Sequence, residues 1–264
     1  MINLIKADFY KINRSLIYKV LFIITSICAV ITTVVSHRIQ AGDMDFVSAG
    51  TVAMLTDVVM LTLVNCVVAG QLICGDFENK LIQSALTGTS SRLTVVCAKM
   101  VSYTVLIGIM SLPFALCSII GAATNAGFSI PYSASVYLAM LSDATQNDVT
   151  GGMLVKFAVI SLVMVLVYTA QAGIVFLLGF LIKNKPLVVT IIGYLICTVI
   201  GMSSWLFGDS MEKIMSYSPF SADMYSLSSG SDYVTIAKVA LISLAWIVAF
   251  TVASFAAFRK AEIK

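Results

Sequence analysis

Residues 75–99 read GDFENKLIQSALTGTSSRLTVVCAK and form a polar interruption between two long apolar runs. Only 11% of the residues in this protein are charged, and five of them lie here: Asp76, Glu78, Lys80, Arg92 and Lys99. Apolar residues recur at helical spacing in the first half, at Leu81, Ile82, Ala85 and Leu86. We expect a short amphipathic helix that ends near Gly88. Ser90 or Ser91 can cap a second helix that begins near Arg92.

An amphipathic helix between two membrane spans has two uses. It can lie flat among lipid headgroups, or it can insert its apolar stripe into a groove on a partner protein. A helix that lies on lipid is normally rich in Lys and Arg, whereas residues 75–86 carry Asp76 and Glu78 against Lys80 alone. The charge pattern favours a partner protein, and a loop that is polar only because it joins two spans is the alternative.

Composition indicates an integral membrane protein. The chain has 264 residues, of which 59% are hydrophobic, and its mean hydropathy is +1.00. A soluble domain would have too little polar surface. A helical span needs roughly 20 apolar residues. Six stretches approach this length: Val20 to Ser36, Val58 to Cys74, Met100 to Ala123, Phe157 to Ile182, Pro186 to Phe207 and Val234 to Phe258. We therefore expect an all-α membrane protein in which residues 1–264 form a single transmembrane domain.

The distribution of Lys and Arg predicts the orientation. Most of these residues fall before the first span, in the 75–99 interruption, in the link at Lys183 and Lys185, and at the C-terminus. Because basic loops stay on the cytoplasmic side, both termini and the interruption should be cytoplasmic in the cell membrane.

The N-terminal segment of the chain is not expected to span the membrane. An apolar face is formed by Ile2, Ile5, Phe9, Ile12 and Leu16. Lys6, Asp8, Lys11, Asn13 and Arg14 fall largely elsewhere. This pattern predicts an amphipathic helix along the inner interface. A signal peptide is the competing interpretation, but the apolar run is long, no convincing cleavage site follows, and five further spans come after it.

Several polar residues fall inside predicted spans. Asn65, Thr169 and Gln171 are candidates for a substrate path, although hydrogen bonding between helices is the more favoured explanation. Asp57 is placed at the membrane interface, where an acid costs less than at the centre of a span. The last span carries Ala245, Ala249, Ala253 and Ala257 at four-residue spacing, a pattern that suits close helix packing within the subunit or across a dimer.

Motifs for chemistry are not found. The six cysteines lie in or beside apolar spans, His37 is the single histidine, and no GxxxxGK[ST] phosphate loop occurs. The chain is therefore not expected to be an enzyme, to bind a cofactor or metal, or to bind nucleic acid.

The arrangement resembles the ABC-2 family of ABC transporter permeases. In that family the coupling region consists of an acid, an apolar helix, a small-residue break, an Arg and a later Lys. The matching residues here are Glu78, Leu81, Ile82, Leu86, Gly88, Arg92 and Lys99. The SPF sequence at Ser218 to Phe220 also looks like the family's pattern before the last span. The resemblance covers nearly the whole chain, which is similar in size to permeases of bacteriocin-protection and peptide-export systems.

The resemblance implies the membrane subunit of an ATP-driven exporter. Such a subunit pairs with a second permease copy or a homologous permease and docks on ABC ATPase subunits, which hold ATP and Mg. The residues implied in ATPase coupling are Phe77, Glu78, Leu81, Ile82, Leu86 and Arg92. Few charges in the spans favour an amphipathic peptide or a lipid-like substrate. An ion-gradient-driven secondary transporter is the alternative, and a membrane-embedded enzyme is a third.

Overall fold

The computed structural model describes residues 1–44, 55–87, 91–124, 136–140, 151–183, 185–202, 215–221, 227–228 and 230–260. Every secondary-structure element in these ranges is a helix. This confirms the expected all-α class for the described part of the chain.

Two helices form the N-terminal region. Helix α1 spans Ile2–Arg14, and α2 spans Leu16–Ala41. The extended backbone of Ser15, with φ of −75° and ψ of 129°, separates the two helices. Gly42 caps the C-terminal end of α2, and its φ of 80° is the left-handed conformation that ends many helices.

The second long apolar helix runs continuously into the polar interruption. Helix α3 covers Asp57–Ala69, a π-helical segment covers Gly70–Cys74, and α4 covers Gly75–Glu78. We call this continuous unit, Asp57–Glu78, the α3–α4 rod.

The amphipathic segment of the interruption is a separate helix. Helix α5 covers Leu81–Thr87 and follows Lys80, which adopts a φ of 56°. The side-chain amide of Asn79 donates to the Gly75 carbonyl at 2.7 Å. The single helix expected from Gly75 is therefore two helices. Gly88 and Ser90 lie outside the described residues.

The remaining helices follow in order. Helix α6 covers Arg92–Ala123, and the Thr94 amide donates to the Ser91 hydroxyl at 3.1 Å, which confirms Ser91 as its cap. Then come α7 at Val136–Ala139, α8 at Gly151–Ile182, α9 at Pro186–Gly201 and α10 at Tyr233–Lys260.

Five of the described helices are long and apolar enough to cross a membrane. They are α2, the α3–α4 rod, α6, α8 and α10. Helix α9 has 16 residues, fewer than the roughly 20 that a span needs. Residues 203–207, which the prediction added to this span, lie outside the described residues. The apolar helices support an integral membrane protein, but the sixth span is not confirmed.

Helix α8 lies at the centre of the described bundle and packs against α3, α6, α9 and α10. Its buried residues include Tyr168, Phe176 and Phe180. Helix α10 approaches α8 closely at Gly173, where an added Cβ would lie 2.4 Å from the Phe250 ring. The small residue is therefore needed for the contact between these two helices.

Candidate functional site

An ion cluster joins three elements at one end of the α3–α4 rod. Lys99 of α6 donates to both Asp8 of α1 and Asp76 of α4, and Lys11 of α1 also donates to Asp76. We call these four residues the ion cluster. Helix α1 is thereby held against the rod and α6 by side chains that are far apart in the sequence.

The ion cluster is largely buried. Lys99 is only 6% exposed, and both carboxylates are also buried, whereas Lys11 retains partial exposure. Two ammonium groups face two carboxylates, so the charges balance within the cluster. A buried charge is tolerated only when it is paired in this way, and the loss of one partner leaves the others uncompensated.

Lys11 is the partly exposed member of the ion cluster. Burial lowers the pKa of Lys11 from 10.5 to about 8, the Lys99 ammonium acts in the same direction, and Asp8 opposes the change. The charged form of Lys11 is therefore favoured mainly below about pH 8.

Sequence reasoning did not assemble the ion cluster. The polar residues of α1 were expected to face headgroups, but Asp8 is buried against α6. Asp76 is one of the charges of the interruption and the resemblance places Lys99 in the coupling region, but the sequence pairs neither residue with α1. The available signal was the presence of two acids and two bases, which must pair with one another in such an apolar protein.

Two residues implied in coupling point into the protein. The Phe77 ring packs edge-on against Phe180 and Phe258, with ring centres 6.0 and 5.9 Å away. Ile82 is 1% exposed. These side chains fix α4 and α5 to the bundle.

Other coupling residues lie at or near the surface. Glu78 is exposed and Leu81 is 43% exposed, while Leu86 packs partly against the core. Glu78 and Leu81 therefore provide the accessible part of the implied coupling surface, and the assignment of all six residues to ATPase coupling stays a prediction.

Arg92 ties the start of α6 to the end of α10. Its guanidinium donates to the carbonyls of Phe258 and Arg259 at 2.8 and 2.7 Å, and it lies 5.5 Å from the centre of the Phe258 ring. The last carbonyls of a helix lack partners within the helix, and a cation there also complements the helix dipole.

A cavity of about 350 Å³ adjoins the ion cluster. Its walls include Leu4 of α1, Ala85 of α5 and Val95 of α6, together with all four members of the ion cluster. Leu81, Ile82 and Ser84 also line this cavity, so α5 and the ion cluster share its wall.

The three residues proposed for a substrate path have different surroundings. The Thr169 hydroxyl donates to the Val165 carbonyl at 2.7 Å, within its own helix. The Gln171 amide donates to the Pro219 carbonyl at 2.7 Å, which links α8 to the SPF sequence. Asn65 is buried, and its side-chain oxygen has no hydrogen-bond partner among the described residues. The Gln171 bond reaches a turn and the Thr169 bond stays within α8, so neither is the bond between helices that the sequence favoured, and the substrate path stays a prediction.

A second cavity, of about 420 Å³, lies between α3 and α9. Thr62 and Val58 line one side, and Tyr194 and Cys197 line the other. The Cys197 sulfur lies 3.8 Å from the Gln171 carbonyl oxygen. Through Cys197 the wall of this cavity contacts the backbone of Gln171, one of the proposed path residues.

Asp57 begins the α3–α4 rod at the end opposite the ion cluster. Its carboxylate is fully buried and accepts from the backbone amides of Val58, Val136 and Tyr137 at 2.9, 3.1 and 3.1 Å. It was expected at the membrane interface. The structure shows that it anchors α7 on the rod.

The described fold and sites define a helical membrane protein with a buried ion cluster at one end. No family model matches the sequence, and a search of the curated proteins finds no match. Among the described residues, no group of three or more His, Cys, Asp or Glu side chains could hold a metal.

Proposed function

We propose that this chain is the membrane subunit of an ATP-driven transporter of the ABC-2 type. It would lie in the cell membrane with both termini cytoplasmic. One observation carries the proposal: a short amphipathic helix, α5, is anchored next to the end of a long apolar rod, and Glu78 of α4 and Leu81 of α5 are both accessible.

Rigid attachment suits the task of passing motion from a partner to the spans. Helix α4 continues the apolar rod without a break, and Phe77 packs its end into the aromatic core. The ion cluster couples the same point to α1 and α6. A force applied at Leu81 would therefore move several helices together, as rigid-body transport mechanisms require.

The proposed partners are ABC ATPase subunits and a second permease. The ATPase would hold ATP and Mg and would contact Glu78, Leu81 and their exposed neighbours. A second copy or a homologous permease would complete the path. Ala245 and Ala249 face outward from α10 and offer small side chains for such a contact.

The proposed substrate is an amphipathic peptide or a lipid-like molecule that is exported. The cavity between α3 and α9 has apolar walls with hydroxyl groups from Thr62, Tyr194 and Thr198. Such a surface suits a ligand with both apolar and polar parts.

Secondary transport is supported less well. That alternative needs a buried acid that exchanges protons or ions. Asp57 accepts three backbone N–H bonds, and Asp76 is paired with two lysines. Both acids therefore have structural partners.

The docking test uses Leu81→Asp in the full chain, co-expressed with an ABC ATPase that co-purifies with the parent chain. We expect a loss of co-purified ATPase of about tenfold or more, because an acid replaces an apolar anchor of the interface. Leu93→Asp is the matched control, since Leu93 is 48% exposed at the start of α6. Melting temperatures establish that both variants are folded.

Retention of the ATPase by Leu81→Asp at the level of the parent would refute the docking surface. Ile82→Asp serves a different purpose. Because Ile82 is buried within the chain, this change should lower the melting temperature even when no ATPase is present.

A further inference from the structure

A groove of about 720 Å³ lies between α1, α2 and α6, and neither the ion cluster nor α5 contributes a residue to its lining. Phe9 of α1, Phe22 of α2 and Met110 of α6 contribute to its walls. Its volume lies within the range of about 300 to 1,000 Å³ that is usual for small-ligand sites.

The groove changes character along its length. Tyr18 and Lys19 lie at the start of α2, where the chain leaves α1. Phe22 follows one turn further along α2, and Ile109 and Met110 face it from α6. One end of the groove is therefore polar and basic, and the other is apolar.

Tyr18 is a buried group whose hydroxyl makes no hydrogen bond to a described residue. Its side chain is 4% exposed, and its hydroxyl makes no hydrogen bond within the described part of the chain. A buried hydroxyl normally finds a partner, because leaving it unpaired costs free energy. Asp8 is the nearby charged group: its Oδ1 is paired with Lys99, and its Oδ2 makes no hydrogen bond among the described residues.

We propose that this groove binds an anionic phospholipid. The lipid phosphate would pair with Lys19 and accept a hydrogen bond from Tyr18, and an acyl chain would follow Phe22 and Ile109 into the apolar end. The combination of a polar basic end and an apolar end matches the two parts of a phospholipid. Basic residues at the start of a span attract anionic headgroups in particular.

Charge around the groove agrees with this ligand. Lys6 and Lys19 are exposed, and Arg14 is also exposed while stacking on Tyr10, so the first helices present a basic surface. Bound in this position, the lipid would hold α1 against α2 and α6. The inference is independent of ATP-driven transport.

The test measures lipid binding to the purified full chain by native mass spectrometry. The probes are phosphatidylglycerol and phosphatidylcholine with identical acyl chains. We expect phosphatidylglycerol to bind about fivefold more tightly, and Lys19→Gln to remove that preference, because one basic residue supplies this much attraction. Lys6→Gln is the control, since Lys6 is an exposed base of α1 outside the groove lining.

Two further variants test the position of the lipid. Tyr18→Phe should weaken phosphatidylglycerol binding about three- to tenfold through the loss of one hydrogen bond. Ile109→Trp should reduce binding of both lipids by filling the groove. Melting temperatures separate these effects from misfolding, and Lys19→Gln, which changes an exposed side chain, remains informative if Tyr18→Phe is unstable.

Equal binding of the two lipids by the parent would overturn the proposal. Equal losses in Lys19→Gln and Lys6→Gln would also overturn it, since the attraction would then be a general surface effect. If Ile109→Trp leaves lipid binding unchanged but dissociates a dimer, a second copy of this chain occupies the groove and the proposal is wrong.

Discussion

The two ends of the α3–α4 rod bury carboxylates in different ways. At one end, Asp76 is held by the side chains of Lys11 and Lys99. At the other end, Asp57 is held by three backbone N–H groups, one from its own helix and two from α7. Both acids are buried, but only the first depends on countercharges from distant helices.

This difference predicts how each end of the rod responds to a substitution. In the ion cluster, the removal of one charge leaves the remaining charges unbalanced in a region with little water. Around Asp57, the donors are backbone N–H groups without a full charge, so a substitution of Asp57 leaves no unpaired countercharge behind. The ion cluster should therefore be the more sensitive of the two ends.

The largest effect is expected from Lys99→Met, which removes the central cation of the ion cluster. Asp8 then loses its partner, and the free energy of unfolding should fall by about 3 to 5 kcal/mol. Denaturant or thermal unfolding in detergent measures the change. Lys6→Met is the control, because Lys6 is an exposed lysine of α1.

A second substitution tests whether the lost charge balance causes the expected fall in stability. Adding Asp8→Asn to Lys99→Met leaves Lys11 paired with Asp76 and should recover part of the lost stability. If Lys99→Met and Lys6→Met unfold alike, the ion cluster does not contribute in the way that the structure indicates.

A smaller effect is expected from Asp57→Asn at the opposite end. Hydrogen bonds to a charged group are each worth about 1.5 to 3 kcal/mol, and the amide keeps one oxygen acceptor, so the total loss should lie near this range. Hydrogen exchange at the Val136 and Tyr137 amides should become faster. Asp43→Asn, an exposed acid after α2, provides the control.

The two ends can also be changed together. They lie at opposite ends of a rod of 22 residues, so the effects of Asp57→Asn and Lys99→Met should add. A strong deviation from additivity would show that the ends are coupled through the rod and are not independent anchors.

The smallest effect is expected from Arg92→Lys. This variant keeps the charge but loses the guanidinium that reaches the carbonyls of both Phe258 and Arg259. We expect a loss of about 1 kcal/mol and faster exchange at the end of α10. Arg14→Lys is the matched control, and identical melting of the two variants would contradict a role for Arg92 in anchoring α10.

Local patterns explain the features that the sequence predicted well. The N-terminal helix, the cap at Ser91 and five long apolar helices follow from helical periodicity, capping chemistry and the length of apolar runs. The sixth predicted span depended on residues 203–207, which lie outside the described part of the chain.

The polar interruption shows what helical periodicity does not predict. Its sequence marked Phe77, Leu81 and Ile82 alike as apolar residues of a coupling segment. The structure turns Phe77 and Ile82 inward and leaves Leu81 partly exposed, because Lys80 adopts a positive φ and reorients α5. Periodicity gives the relative positions of residues on one helix, but it does not say which face meets the rest of the protein.

The sequence by itself determined the class of this protein, since hydrophobic composition and the length of apolar runs depend on no distant contact. Only the tertiary structure decided which charges pair. Asp8 and Lys99 are 91 residues apart, and Arg92 meets the Phe258 carbonyl across 166 residues. Such pairs depend on how the helices are rotated and shifted against one another, and that arrangement is set by side-chain packing over the whole bundle.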